Sequence, residues 1–312
     1  VVAGESDEIG SVSDMASLAA AVKAAKEKAP DSITALGTYT PEELLKRLYM
    51  TLSFQAFVKD GETDAEALRE FLTKAKEIYE EEQKNITQQD LQSHENGVRW
   101  SQENGMKDEE GNFPIDASGV MSALGKGQEI ILGTISSVED LEYLIGTLKH
   151  ERFPNSSYDL VNEENIFTPK GICGVNAESK EMELSLEFLK ELLGTEAQKA
   201  DLSDGLPVNE DAFDLFFENP KPNDESVMGF TSSVASEDGV TKDRVHFEVK
   251  WPEKEAVDAL KEKVKRLSSP GLSDEVIKNA VLEIGAKVLS GDVSADEGCG
   301  EIVQKVDIYL AE

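Results

Sequence analysis

Cysteine is nearly absent: the 312 residues hold two, Cys173 and Cys299, far apart and in no metal-ligand spacing. A disulfide framework is thereby excluded, and neither thiol has a neighbour in sequence that would activate it. Histidine is equally scarce, with His94, His150 and His246 scattered and no HExxH pair, so the sequence gives no zinc site and no metal ligand. Basic side chains are outnumbered, 31 against 63 acids, for a net charge of −32. Such a field repels phosphate backbones and makes nucleic acid a poor partner, while it favours colloidal solubility. No apolar run reaches bilayer length. The chain opens on "VVAGESDEIG", with no Met and no leader, and reads as a processed form or a piece of a longer protein.

What is there suffices for a globular protein. Hydrophobic residues make up 39% and charged ones 30%, enough for a core and too apolar for disorder. Residues 11–29 predict an Ala-rich helix closed by Pro30. A second helix begins at Thr40 as cap with Pro41 in the first turn and runs through "TPEELLKRLYMTLSFQAF". In "DAEALREFLTKAKEIYEEEQKNI", Leu68, Phe71, Leu72, Ala75 and Ile78 recur at three and four, the spacing of one buried face. Residues 85–116 read as a long polar connection. "EIIL" has the continuous apolar pattern of a strand buried on both faces. "GTISS" leads from it into a helix capped by Ser137 with Asp140 at the capping-box position.

Residues 151–171 read as irregular and "GICGV" as a second short strand. A helix follows over 181–193 with Gly194 as its C-cap, and Asn209 caps the next. Residues 219–241 read as a loop, "RVHFEVKWP" as an extended segment, and the remainder as three successive helices. The expected class is a helix-rich α/β chain with few, buried strands.

The common catalytic motifs are missing. "GVMSALGKG" fails as a phosphate loop, because its glycine spacing is wrong and Gly127 stands where Ser or Thr would hold magnesium. "KDEEGNF" and "DVSADEG" lack the ligand spacing of a calcium loop. No Gly-x-Ser-x-Gly elbow occurs, and carboxylates are too many for any pair to stand out as a glycosidase pair. Aromatics are only 6% of the chain. Trp100, Tyr158 and Trp251 each sit among polar neighbours, a setting that suits either the C–H face of a sugar or the edge of a core, and both readings stay open.

"GICGVNAESKEMELSLEFLKELLGTEAQKADLSDGLPVNEDAFD" resembles the extracellular solute-binding proteins of ABC importers, carbohydrate-binding family 1. The likeness lies in Ser179-Lys180-Glu181, in Phe188 to Leu193, in Glu196-Ala197-Gln198 and in the turn Gly205-Leu206-Pro207-Val208-Asn209. "GKGQEIILGTISSVEDL", "FVKDGETDAEALREFLTKAKEIYEE" and the tail "VLSGDVSADEGCGEIVQKVDIYLAE" are similar to further family segments in the same order, with Gly298-Cys299-Gly300 departing from the family's Ala.

The resemblance implies a type II periplasmic-binding-protein-like α/β fold. Residues 1–160 and 221–312 would then form a discontinuous, helix-rich C-terminal lobe, and 161–220 would belong to the N-terminal lobe, whose opening β-α-β stretch has no counterpart here. It implies a non-catalytic protein that closes two lobes on a sugar or oligosaccharide and delivers it to a membrane permease, outside the cell on a lipid anchor, with no cofactor. The implied ligand residues are Thr134, Ile135, Ser136 and Ser137 at the strand-to-helix junction, with Trp100, Tyr158 and Trp251 for stacking. The "GLPVN" turn is implied to be structural. The alternatives are a carbohydrate-active hydrolase using acidic residues and a non-catalytic helical interaction module.

Overall fold

Val2 and Ala3 are almost wholly out of solvent. The strand that carries them, β1 (Val2–Glu5), is the middle of a three-stranded antiparallel sheet. The computed structural model describes residues 1–5, 12–28, 34–51, 57–59, 62–103, 130–150, 155–161, 165–169, 171–200, 205–220, 228–235, 242–271 and 274–311. After β1 come α1 (Met15–Lys28), α2 (Pro41–Thr51), β2 (Val58–Lys59), β3 (Glu62–Thr63) and α3 (Ala65–Glu82), which runs into a 3-10 turn. α4 (Gln88–Glu103), β4 (Ile130–Leu132), α5 (Val138–Leu148), β5 (Ser156–Asp159) and β6 (Ile166–Phe167) follow. Next are α6 (Met182–Leu192), α7 (Thr195–Gln198), α8 (Glu210–Phe216) and the hairpin β7 (Met228–Ala235) and β8 (Lys242–Val249). α9 (Lys254–Lys265), β9 (Ser269–Pro270), α10 (Glu275–Ser290) and α11 (Ala295–Leu310) complete a mixed α/β, helix-rich protein.

β4 and β5 flank β1, with Ala3 opposite Ile131 on one side and Tyr158 on the other. Successive side chains of a strand point to opposite faces, so this small sheet serves two cores at once. Val2, Ile130 and Leu132 enter a first cluster, whereas Ala3 and Ile131 enter a second. That two-sided burial is why "EIIL" reads as a continuous apolar run.

The first cluster is helical. α3 contributes the expected Leu68, Phe71, Leu72, Ala75 and Ile78, and its start is fixed by Asp64, which accepts from Ala67 N at 3.0 Å. α10 crosses it at Gly285, where a β-carbon would stand 3.1 Å from Leu45 and 3.2 Å from Leu72. α10 ends at Gly291 in the left-handed region, and Ser294 with Glu297 opens α11 through a reciprocal capping box. At Gly298 a β-carbon would run into Val288 Cγ2, so the Gly-Cys-Gly step brings α11 close against α10. Cys299 is buried there and donates to Ala65 O at 3.3 Å, and burial pushes its thiol up.

One carboxylate ties the segment before α2 to this core. Glu82, fully buried at the end of α3, accepts from Ala35 N at 2.6 Å, Leu36 N at 3.2 Å and the Thr38 hydroxyl at 3.3 Å. The Arg47 guanidinium donates to Leu36 O beside it, and Lys26 is a nearby buried cation. Burial raises the Glu82 carboxyl against the pull of those donors and of Lys26.

The second cluster joins α5 to α8 and α9 through Leu141, Leu144, Phe217, Val257 and Leu260. β8 turns Val245, Phe247 and Val249 inward, and Gly146 lets α5 approach it, since a β-carbon there would be 2.6 Å from Glu248 O.

The structure departs from sequence expectation at several places. Within 85–116, Thr87 and Asp90 form a reciprocal cap and α4 begins at Gln88; residues 104–116 lie outside the described residues. "GICGV" is no strand: residues 171–174 are exposed and without regular structure, and nothing pairs with them among the described residues. β5 and β6 form inside 151–171, because partners remote in sequence (β1 and β9) supply their hydrogen bonds. β7 forms inside 219–241 by pairing along its whole length with β8. Gly194 is extended and precedes α7 instead of closing α6 in a left-handed turn. The end of the second helix, 52–56, and Pro30 lie outside the described residues.

α6 has no buried residue. Leu184, Phe188 and Leu192 stand four apart in one exposed row, with Met182, Leu186 and Leu193 in another.

Paired substitutions test the α10–α11 contact by urea unfolding. Gly298→Ala is expected to cost about 1–3 kcal/mol through overpacking on Val288. Gly300→Ala, two residues on in open space, is expected to stabilise by up to about 1 kcal/mol through helix propensity. Glu82→Ala is expected to cost about 3 kcal/mol by leaving buried donors and a cation without their acceptor. Since the folded state holds the Glu82 proton to higher pH than the unfolded chain, its term weakens stability as pH rises from 4.5. Glu82→Gln is expected to remove that fall from the curve of stability against pH.

Candidate functional site

The junction between β4 and α5 is built around Asp140. Its Oδ2 accepts from Ser136 N at 2.7 Å, Ser136 Oγ at 2.8 Å and Ser137 N at 3.1 Å, and Asp140 N donates back to Ser137 Oγ at 3.1 Å. The expected capping box is therefore present, extended by one residue. The same bonds occupy the Ser136 hydroxyl and both serine amides, so these groups orient the loop. Thr134 is exposed and Ile135 half-buried.

Ile135, Tyr158 and Trp251 come from three separate segments, yet all pack against the second apolar cluster and border it. Tyr158 stands on β5 opposite Ala3, and burial raises its phenol. Trp251 stands two residues past the end of β8, half-buried, beside the buried Pro252. Three of the seven expected residues thus pack against one apolar cluster, and Thr134, Ser136 and Ser137 lie on the loop that carries Ile135. Trp100 lies on α4, and its side chain is outside the described residues. A shallow groove of about 390 Å³ lies between α1 and α3, over Ala16, Ala19, Lys23, Lys74 and Glu77, and none of the seven lines it.

The same cluster gathers residues that sequence reasoning passed over. Phe213 and Phe216, on α8, pack against this cluster with Leu206, and Lys261 pairs with Asp214 at 2.8 Å while its ammonium lies 5.7 Å from the Phe217 ring centre. The signal was in "FDLFF", four apolar residues of five, three of them Phe, in an aromatic-poor chain.

The "GLPVN" turn fastens three helices together. Gly205 takes φ of 104°, which only glycine adopts without strain. Asn209 Oδ1 accepts from Ala212 N at 3.1 Å and from Thr195 Oγ1 at 3.1 Å, while its Nδ2 donates to Leu193 O at 3.0 Å. Gln198 accepts from Val208 N at 3.0 Å and donates to Leu192 O at 3.2 Å. One asparagine so caps the start of α8 and the end of α6.

Among the described residues no three His, Cys, Asp or Glu side chains are placed to hold a metal ion, and no helix is long and apolar enough to cross a membrane. Cys173 is exposed and Cys299 buried.

Removing the junction's cap separates orientation from recognition. Asp140→Ala is expected to lower stability by about 1 kcal/mol, and Ser137→Ala by a similar amount, in chemical unfolding. Compared with protein-family models and with curated proteins, the chain matches none.

Proposed function

We propose that the protein is the substrate-binding component of an ABC importer, capturing a sugar or oligosaccharide outside the cell and handing it to a membrane permease. The observation that carries this reading is that Ile135, Tyr158 and Trp251, from distant segments, pack against one apolar cluster, with Ile135 on a loop whose conformation Asp140 fixes. Half-buried aromatic faces next to preorganised polar backbone are what a neutral, hydroxyl-rich ligand requires.

On this reading the fold is of the type II periplasmic-binding-protein class, with residues 1–160 and 221–312 in one lobe and 161–220 in the other. The full-length protein is a lipid-anchored, non-catalytic receptor, and hinge closure reports occupancy to the permease. The exposed rows of α6 favour a second reading, a helical interaction module, in which Ile135, Tyr158 and Trp251 only edge a core.

A thermal-shift panel of mono- and oligosaccharides tests the two. A ligand present at a hundred times its Kd adds about 2.7 kcal/mol to the native state, a shift of a few degrees. The capture reading expects such a shift for a subset of sugars, lost in Tyr158→Ala and Trp251→Ala. Silence across the panel, with the chain folded, overturns capture by these residues and leaves the interaction module. Release of a reducing end from an oligosaccharide would instead assign a hydrolase.

A further inference from the structure

Every Met, Leu and Phe of α6 falls on one arc of about 200° when the helix is wound at 3.6 residues per turn, and Glu183, Glu187, Lys190 and Glu191 fill the remainder. An apolar stripe of that width is what a helix turns toward a core. Yet no residue of α6 is buried, and Leu184 and Phe188 are 64% and 66% exposed. The helix is moored at its C-terminal end, where Asn209 Nδ2 donates to Leu193 O and Gln198 Nε2 to Leu192 O. Ser185 and Leu189 are half-buried, which leaves the row of Leu184, Phe188 and Leu192 open. Single apolar residues scattered over a surface need no explanation, but these are gathered. Of the fourteen large hydrophobic residues exposed among the described residues, ten lie between Phe167 and Leu215.

The charges beside that row point to what covers it. Glu183, Glu187 and Glu191 also stand four apart, each one residue before Leu184, Phe188 and Leu192, so a row of carboxylates runs along the apolar row. All three are exposed, and among the described residues no ion pair engages them. Elsewhere on the surface Glu77, Glu196, Asp258 and Glu275 each pair with a lysine three or four residues away. A second copy would bring a further net charge of −32 to the contact. A lipid surface calls for Lys and Arg on the polar face of the helix, and α6 has one Lys against three Glu.

We infer that the apolar face of α6 is a docking site for a basic amphipathic helix of a partner protein. Ridges of side chains spaced four apart interdigitate with ridges of the same spacing, so the partner presents an apolar residue at every fourth position. Lys or Arg beside that stripe meets Glu183, Glu187 and Glu191, which supply register and select against acidic helices. The inference stands on α6 alone and holds whether or not Ile135, Tyr158 and Trp251 border a sugar.

Fluorescence anisotropy with the full chain and three labelled synthetic peptides of equal length tests this. The first carries Leu at every fourth position with Lys alongside, the second has Glu for each Lys, and the third is a permutation of the first that scatters its leucines. The first is expected to bind saturably, and the second about tenfold more weakly, the sum of three exposed ion pairs of ordinary strength. The permuted peptide, equal in charge, is expected not to bind. Phe188→Ser and Leu184→Ser, both at exposed positions and checked by an unchanged Tm, are each expected to weaken the first peptide about tenfold. Ile308→Ser, at an exposed apolar site on α11, is expected to leave it unchanged. Glu183→Gln, Glu187→Gln and Glu191→Gln together are expected to close the gap between the first two peptides. Binding of the first peptide no tighter than the permuted one, or binding indifferent to Phe188→Ser, overturns the site. A dimer in sedimentation that Phe188→Ser abolishes would give the face to a second copy and overturn the basic partner.

Discussion

A strand of four residues has to serve two interiors, and most of the architecture follows from that constraint. β1 pairs on both sides, so its side chains alternate between a helical core and a second core that α5, α8 and α9 share. Neither core closes without it. Val2, Ile130 and Leu132 floor the first, and Ala3 and Ile131 floor the second. The small volume of Ala3 matters, because Ile131 and Tyr158 flank it from both neighbouring strands. The helices on each side then need only one apolar face apiece, and α3 and α5 have one.

What could be read from the sequence was whatever is decided within a few residues. The α3 stripe, the Ser137–Asp140 box, the Asn209 cap and the freedom of Gly205 are local matters of periodicity and side-chain chemistry, and the structure has all of them. The misses are non-local. β1 was illegible because "VVAGE" has no signature until two remote strands pair with it. β7 looked like a polar loop, since a hairpin strand open to solvent tolerates Thr and Ser, and its partner β8 supplies the pattern. "GICGV" erred the other way: two glycines and an apolar pair suggested a strand, yet no neighbour among the described residues offers it a ladder.

The same division runs through the candidate site. Ser136 and Ser137 were legible as a cap, and they are bound up in it. That Ile135, Tyr158 and Trp251 would pack against one cluster was not legible, because that cluster forms only when β5 pairs with β1 and α5, α8 and α9 contribute to a common core. Phe213 and Phe216 join that cluster through α8, whose orientation the Asn209 junction sets. The most remote link in the chain of causes is thus the turn from Gly205 to Asn209.

The exposed rows on α6 give the acidic composition a second meaning. Five large apolar side chains on one helix, with Leu193 at its end, would, on a neutral protein, draw copies together. With a net charge of −32, each molecule meets its twin across a repulsive field before those rows can touch. That field reaches about 8 Å at physiological ionic strength and about 3 Å in molar salt. The surrounding electrolyte therefore sets how far this field holds the α6 rows of two copies apart.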